Sequence, residues 1–161
     1  MVMKITILCV GKVKEKFYQD AIKEFEKRLS RYTRLSIVEV ADEKTEEQAS
    51  ENEINIVKEK EGERLLKAMK SEGYVICLAI EGRQLDSVEL SEKIESIKLK
   101  GESHIYFVIG GSLGLSDKVI KRADMCLSFS RMTFPHQLMR VILLEQIYRS
   151  FRIANNEPYH K

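Results

Sequence analysis

Cysteine, proline and histidine are scarce in this chain of 161 residues, which has three, two and three of them respectively. Cys9, Cys77 and Cys126 each sit inside an apolar, strand-like run, far from one another and odd in number. That pattern excludes a disulfide framework and points to buried free thiols in a reducing compartment. No C-x-x-C or H-x-x-x-H pair occurs, so no metal site is expected. The opening segment, MVMKITILCVGKVKEKF, has an apolar run of only seven residues before its charges begin. This is too short for a secretory core and far short of the ~20 apolar residues of a membrane span. A soluble, cytoplasmic protein with no membrane partner is expected. Phosphate-binding fingerprints are also missing. No Lys follows Gly114, which excludes a P-loop, and G-G-S-L-G lacks the spacing of a dinucleotide loop. No internal repeat, low-complexity segment or linker divides the chain, so residues 1–161 are expected to form one domain.

Hydrophobic residues make up 43% of the chain, enough for a sizeable core. The net charge of +2 hides an asymmetry. Lys12 to Arg34 carries eight basic and four acidic residues, and Ser130 to Lys161 carries five basic and two acidic. Between them, Asp42 to Arg64 carries nine acidic and four basic. Basic ends that meet in space would form a patch for a polyanion, whereas solvated helix faces would give the same composition without one.

The hydrophobic pattern alternates. Ile5–Val10, Leu35–Val40, Tyr74–Ile80, Ile105–Ile109 and Met125–Phe129 read as strands. Glu15–Tyr32 reads as a helix with Phe17, Ile22, Phe25 and Leu29 on its apolar stripe. Glu51–Lys70, a segment from a cap at Ser87 to Lys98, a short segment capped by Ser116, and Pro135–Ala154 are the other helices. Ala41–Ser50 is acidic and reads as an exposed loop. Such alternation predicts an α/β fold with a mostly parallel sheet flanked by helices.

Ligands of open α/β sheets bind beyond the carboxyl ends of strands. Three such ends carry small or polar residues: the Gly loop at Glu81-Gly82, the GGSLG turn, and SFSRMTFPHQ. Gly110 and Gly111 lack Cβ atoms, which lets their backbone approach a ligand, although a tight turn explains a Gly-Gly pair equally well. The last helix is apolar almost all round, which suggests burial on more than one side and a homodimer. His136 and Arg140 lie four apart near its start, on one face. Glu145, Arg149 and Arg152 lie on the opposite face, where Glu145 and Arg149 are spaced to pair. Tyr159 and His160 end the chain, either as a loose tail or as part of a site.

FVIGG, LSFSRMTFPHQLMRVILLEQIYR and the terminal PYHK closely resemble the small ribosomal methyltransferases of the SPOUT class, in particular the large-subunit rRNA pseudouridine N3-methyltransferase family (the RlmH type). The resemblance runs end to end and is most specific in the last ~60 residues. It implies a single α/β domain, 1–161, with a C-terminal trefoil knot, acting as a homodimer on 23S rRNA within the assembled ribosome. It implies S-adenosylmethionine as cofactor, held by Leu78, by Gly110 with Gly111, and by Phe129, Ser130, Arg131, Met132, Thr133 and Phe134. Arg131 would contribute its backbone only, and Glu81 is given no role. The acceptor would be N3 of a pseudouridine in helix 69. Arg140 and Arg149 are candidates for holding phosphate or the ionised base, His136 and His160 for proton handling or base contact, and Tyr159 for stacking. The tail is expected near a cofactor, in its own subunit or its partner's. A nonenzymatic RNA- or nucleotide-binding dimer on the same scaffold is the competing expectation.

Overall fold

Strand and helix alternate along the whole chain in the computed structural model, which describes residues 2–161. The strands are β1 (Lys4–Val10), β2 (Arg34–Val40), β3 (Tyr74–Gln84), β4 (His104–Ile109) and β5 (Met125–Ser128). The helices are α1 (Lys16–Leu29), α2 (Glu51–Ala68), α3 (Ser87–Leu99), α4 (Asp117–Arg122) and α5 (His136–Ala154). The sheet order is β2-β1-β4-β3-β5, and every neighbouring pair is parallel. This is the mostly parallel α/β sheet that the apolar runs predict.

Period-two alternation sends successive side chains to opposite faces, so each strand feeds two cores. Ile5, Ile7, Ile105, Phe107 and Leu127 face α1, α3 and α5, where they meet Leu29, Ile94, Leu143 and Ile147. Leu8, Val10, Val75, Cys77 and Val108 face α2 and α4, where they meet Leu65 and Val119. Leu143, Leu144 and Ile147 have no exposed surface. Each contributes roughly 1.5–3 kcal/mol by leaving water. The outer helices thus divide three against two across the sheet.

The structure moves three features. The cap of α3 is Asp86, not Ser87: its carboxylate accepts from Glu89 N (2.8 Å) while Glu89 Oε1 accepts from Asp86 N (3.0 Å). An aspartate that completes this reciprocal pair outcompetes the serine beside it. Phe17 does not share the buried stripe of α1, since it is 63% exposed while Ile22 and Leu29 are buried. Positions 22 and 29 lie two turns apart on the inward side, and 17 falls beyond their edge. The expected loop at Glu81-Gly82 is part of β3. Leu78 and Arg83 both pair with Leu127, so the intervening residues loop out and the strand returns to the ladder through Gln84.

Candidate functional site

The sheet order sets β4, β3 and β5 side by side, so the three expected cofactor loops share one edge of the molecule. Leu78 is half-buried where β3 first leaves β5. Phe129 and Phe134 are half-buried, and Arg131, Met132 and Thr133 are exposed. Between them the backbone is tied by Ser130, whose Oγ accepts from Met132 N (3.0 Å) and whose carbonyl accepts from Ser128 Oγ (3.1 Å). Gly110 is explained by its own loop: a Cβ there would sit 2.9 Å from the Gly114 carbonyl carbon. The rim has half-buried apolar residues and backbone groups of the kind expected to hold a nucleoside-bearing sulfonium. The cofactor carries no phosphate, so such a rim needs no P-loop.

A cleft of about 360 Å³ adjoins this edge between the ends of β1 and β4. Gly11, Gly111 and His136 line it together with the acids Glu39, Asp42, Glu43 and Glu61, and Lys12 and Lys14 are exposed beside it. Gly11 takes φ +86, a conformation that favours glycine, and lets the chain turn away without a side chain filling the cleft. Glu61 is 4% exposed; its Oε2 accepts from Glu43 N (3.0 Å), whereas its Oε1 has no protein partner. His136 Nδ1 is likewise buried and unpartnered. Burial pushes the Glu61 carboxyl above its ordinary range, with Asp42 adding to the shift and Arg64 opposing it. Burial, reinforced by Arg140, pushes the His136 imidazole below its ordinary value.

Arg140 is 1% exposed under this cleft. Its guanidinium pairs with Glu39 and donates to the Gly11 carbonyl (2.6 Å). Arg140 is therefore an internal brace holding β1, β2 and α5 together; its Nε–H lacks a partner but is buried, out of reach of a phosphate in solvent. The spacing of His136 and Arg140 on one helix face is as the sequence reads, but the face points inward.

Arg149 and the tail form a separate cluster. Arg149 pairs with Glu145 (2.7 Å), as the four-residue spacing predicts. Tyr159 donates to Glu145 Oε2 (2.8 Å), and the Arg149 guanidinium lies 4.7 Å from the centre of the Tyr159 ring. Arg149 Nη1 lies 3.2 Å from His160 Nδ1. Arginine only donates, so the histidine nitrogen accepts. Arg152 braces the turn before them through Glu157 (2.8 Å) and the Pro158 carbonyl (2.8 Å). Tyr32, in the turn after α1, also donates to Glu157 (2.8 Å), so the two basic ends do meet. The tail is fastened, not frayed.

The sequence candidates therefore fall into two groups. At 1.5 Å per residue, Glu145 and Arg149 lie about 14 and 20 Å along α5 from His136. The cofactor rim and His136 stand at one end of the helix, and Arg149, Tyr159 and His160 toward the other. Sequence reasoning missed Glu61, which sits in a helix dense in Glu and Lys that reads as a solvated one. The signal available was Gly62 next to it, since a glycine inside a helix marks close packing.

A parallel five-stranded sheet with its polar loops gathered at the carboxyl ends defines an α/β protein of the ligand-binding kind. Solved structures share this fold. A probable methylase family protein of Haemophilus influenzae Rd KW20 superposes with a TM-score of 0.56 at 15% identity, covering 100% of this chain and 72% of that one. A Legionella pneumophila protein, solved in complex with the bound cofactor SAM and described as a methyltransferase, gives a TM-score of 0.50 at 10% identity, covering 94% of this chain and 66% of that one. The family model described as "Predicted SPOUT methyltransferase" matches residues 3–160. The ribosomal RNA large subunit methyltransferase H of Bifidobacterium adolescentis is 61% identical over 159 residues, covering 99% of this chain and 100% of the relative. The protein of the same name from Clostridium botulinum is 58% identical with the same coverage. The chain belongs to the SPOUT methyltransferase family, within its ribosomal RNA large subunit methyltransferase H group. Among the described residues, no helix is long and apolar enough to cross a membrane, and no cluster of His, Cys, Asp or Glu has the geometry of a metal site.

Proposed function

We propose that this protein transfers a methyl group from S-adenosylmethionine to N3 of a pseudouridine in helix 69 of 23S rRNA, in the cytoplasm and on the assembled ribosome. The observation that carries the reading is full-length identity of 61% to a ribosomal RNA large subunit methyltransferase H, with no uncovered segment in the relative. Bound at the rim, S-adenosylmethionine supplies an electrophilic sulfonium methyl. The chain's part is to grip, align and manage charge. Leu78, Phe129 and Phe134 cover the cofactor's base, and the Gly110-Gly111 and Ser130–Thr133 backbones orient it. Arg149, His160 and Tyr159 face the nucleic acid: Arg149 takes phosphate or the ionised base, Tyr159 stacks, and His160 contacts the base. Arg140 acts from beneath as a positioning residue.

The working unit in this proposal is a homodimer, and the C-terminal half of the domain closes a trefoil knot. Two observations favour the dimer. Phe17 stands 63% exposed on α1, with its ring 4.3 Å from that of Tyr18, an uncovered apolar group near the start of α5. In addition, the tail cluster lies about 14–20 Å along α5 from the rim of its own chain, a gap that an antiparallel partner helix closes. The tail of one protomer then serves the cofactor rim of the other. Labelled methyl transfer to ribosomes lacking the modification tests the activity, and absence of transfer with S-adenosylmethionine bound refutes it. Mixing R149A with a rim variant, Gly110→Val, tests the dimer: activity reappears in the mixture if sites are shared, and stays absent if each chain serves itself.

A further inference from the structure

The cleft between β1 and β4 is unused by the cofactor rim, and its place in the fold is not arbitrary. The chain leaves β1 toward α1 on one face of the sheet and leaves β4 toward α4 on the other. Adjacent strands whose exits diverge leave a crevice at their carboxyl ends, the preferred ligand position of an open α/β sheet. Here the crevice ends in two glycines, Gly11 and Gly111, and in a carboxylate oxygen that no protein group satisfies. Such an oxygen is costly to bury unless something donates to it. Gly111 makes the approach: a Cβ there would lie 3.1 Å from Glu61 Oε1.

We propose that this cleft receives the acceptor base, a uracil-type ring, and that Glu61 Oε1 accepts the hydrogen bond from its ring N–H. The inference rests on the methyl-transfer reading above and adds the position and the proton acceptor. A uracil-type edge presents carbonyl, N–H, carbonyl. The cleft offers Lys12, Lys14 and the His136 ring as donors for the carbonyls; Glu39, Asp42 and Glu43 also line it, but among its carboxylates Glu61 is the one with a buried oxygen that lacks a partner. Cytosine and adenine present a bare ring nitrogen at that point, which a carboxylate repels. Gly111 adjoins Gly110 of the rim, so the proposed base and cofactor positions flank one peptide unit.

The step balances without a further reagent. The ring N–H proton passes to the Glu61 carboxylate, and the nitrogen lone pair forms the new N–CH3 bond. The S–CH3 electron pair stays on sulfur, leaving a neutral thioether, and Glu61 returns its proton to water. Desolvation raises the basicity of Glu61, which suits it to the task.

The test uses the full chain and single-turnover methyl transfer to ribosomes lacking the modification, at saturating S-adenosylmethionine. Glu61→Gln keeps an oxygen for Glu43 N but turns an amide toward the base. The expected result is a rate at least about 100-fold below the parent, with thermal stabilisation by S-adenosylmethionine unchanged. A rate within threefold of the parent overturns the assignment, and so does a loss of cofactor stabilisation that accounts for the deficit. A second measurement needs no turnover. Millimolar uridine monophosphate should shift the Gly11 and Gly111 amide resonances, whereas its 3-methyl analogue and cytidine monophosphate should not. Equal responses to all three, or none, overturn the cleft assignment. A parent that moves no methyl group while showing the uridine-selective shift would instead refute the activity and leave the cleft standing.

Discussion

Helix α5 has two arginines whose sequence context is nearly alike and whose surroundings are opposite. Arg140 is 1% exposed, and its charge is spent on Glu39 and a backbone carbonyl. Arg149 is 24% exposed at its side chain and sits in a network whose members (Glu145, Tyr159 and His160) all reach solvent. A buried guanidinium cannot leave its partner without stranding a charge in low dielectric. A half-exposed one exchanges a carboxylate for a phosphate at little cost. The contrast separates what holds the site in shape from what meets the nucleic acid.

The sharpest break of that contrast is Arg140→Met. Removing one member of a buried pair typically costs 3–5 kcal/mol. Glu39 is 35% exposed at its side chain, so part of its charge is recovered by water and about 3 kcal/mol is expected. Urea unfolding should show it as a lower midpoint at constant slope, and a midpoint shift like that of a surface variant would erase the distinction. Arg149→Ala should do the reverse: a stability loss below about 1 kcal/mol, with methyl transfer to ribosomes down by about 100-fold. Equal losses of stability and activity in that variant would make Arg149 a second brace.

A smaller effect probes the tail. Burial, and then the hydrogen bond to Glu145, raise the Tyr159 phenol above its ordinary pKa. Glu145→Gln should bring it part of the way down in an ultraviolet absorbance titration, with little change in melting temperature. No movement would mean that the tail is not held on α5 in solution.

The smallest effect concerns the other end. Glu61 has a folded-state pKa above its unfolded one, so its ionised form opposes folding. The stability it contributes is present below about 4.5 and is lost as pH rises through the raised value. His136 has the opposite sign: its pKa is depressed below 6.5, so its contribution is present above 6.5 and lost in acid. That loss is common to parent and variant and cancels in their difference. Glu61→Gln should therefore melt above the parent at alkaline pH, the gap closing as the solution is acidified. A gap independent of pH would remove desolvation as the cause.

Much of this was legible in the sequence, for reasons that differ by element. The central strands β1 and β4 and the start of β3 are runs of buried apolar residues, which is how a parallel strand covered on both faces reads. Ser116 accepts from Val119 N as the cap of α4, because serine before an apolar run has few alternatives. Asp86 was missed because the choice between it and Ser87 is made by Glu89, three residues on. The Glu145–Arg149 pair followed from helical spacing. The buried state of Arg140 did not, because its partner Glu39 and the Gly11 carbonyl are more than 100 residues away in sequence. Glu61 was hidden by composition: among the many acids of a charged helix, only the glycine beside it marks the one that turns inward.

What turns Glu61 inward is an atom that is missing. Its neighbour Gly62 lies against Ser116, and a Cβ at that position would overlap the Ser116 hydroxyl and come within 3.0 Å of its Cβ. The bare α-carbon lets α2 settle onto the start of α4 and so sets how far the adjacent carboxylate reaches over Gly111. Gly62 acts as a gauge block, a spacer whose thickness fixes a tolerance elsewhere. A methyl group added there would change no charge and remove no hydrogen-bonding group of the cleft, yet it would lift the acid off its seat. Tuning of this enzyme by small steps should therefore run through its glycines, where an increment of size becomes a displacement of charge.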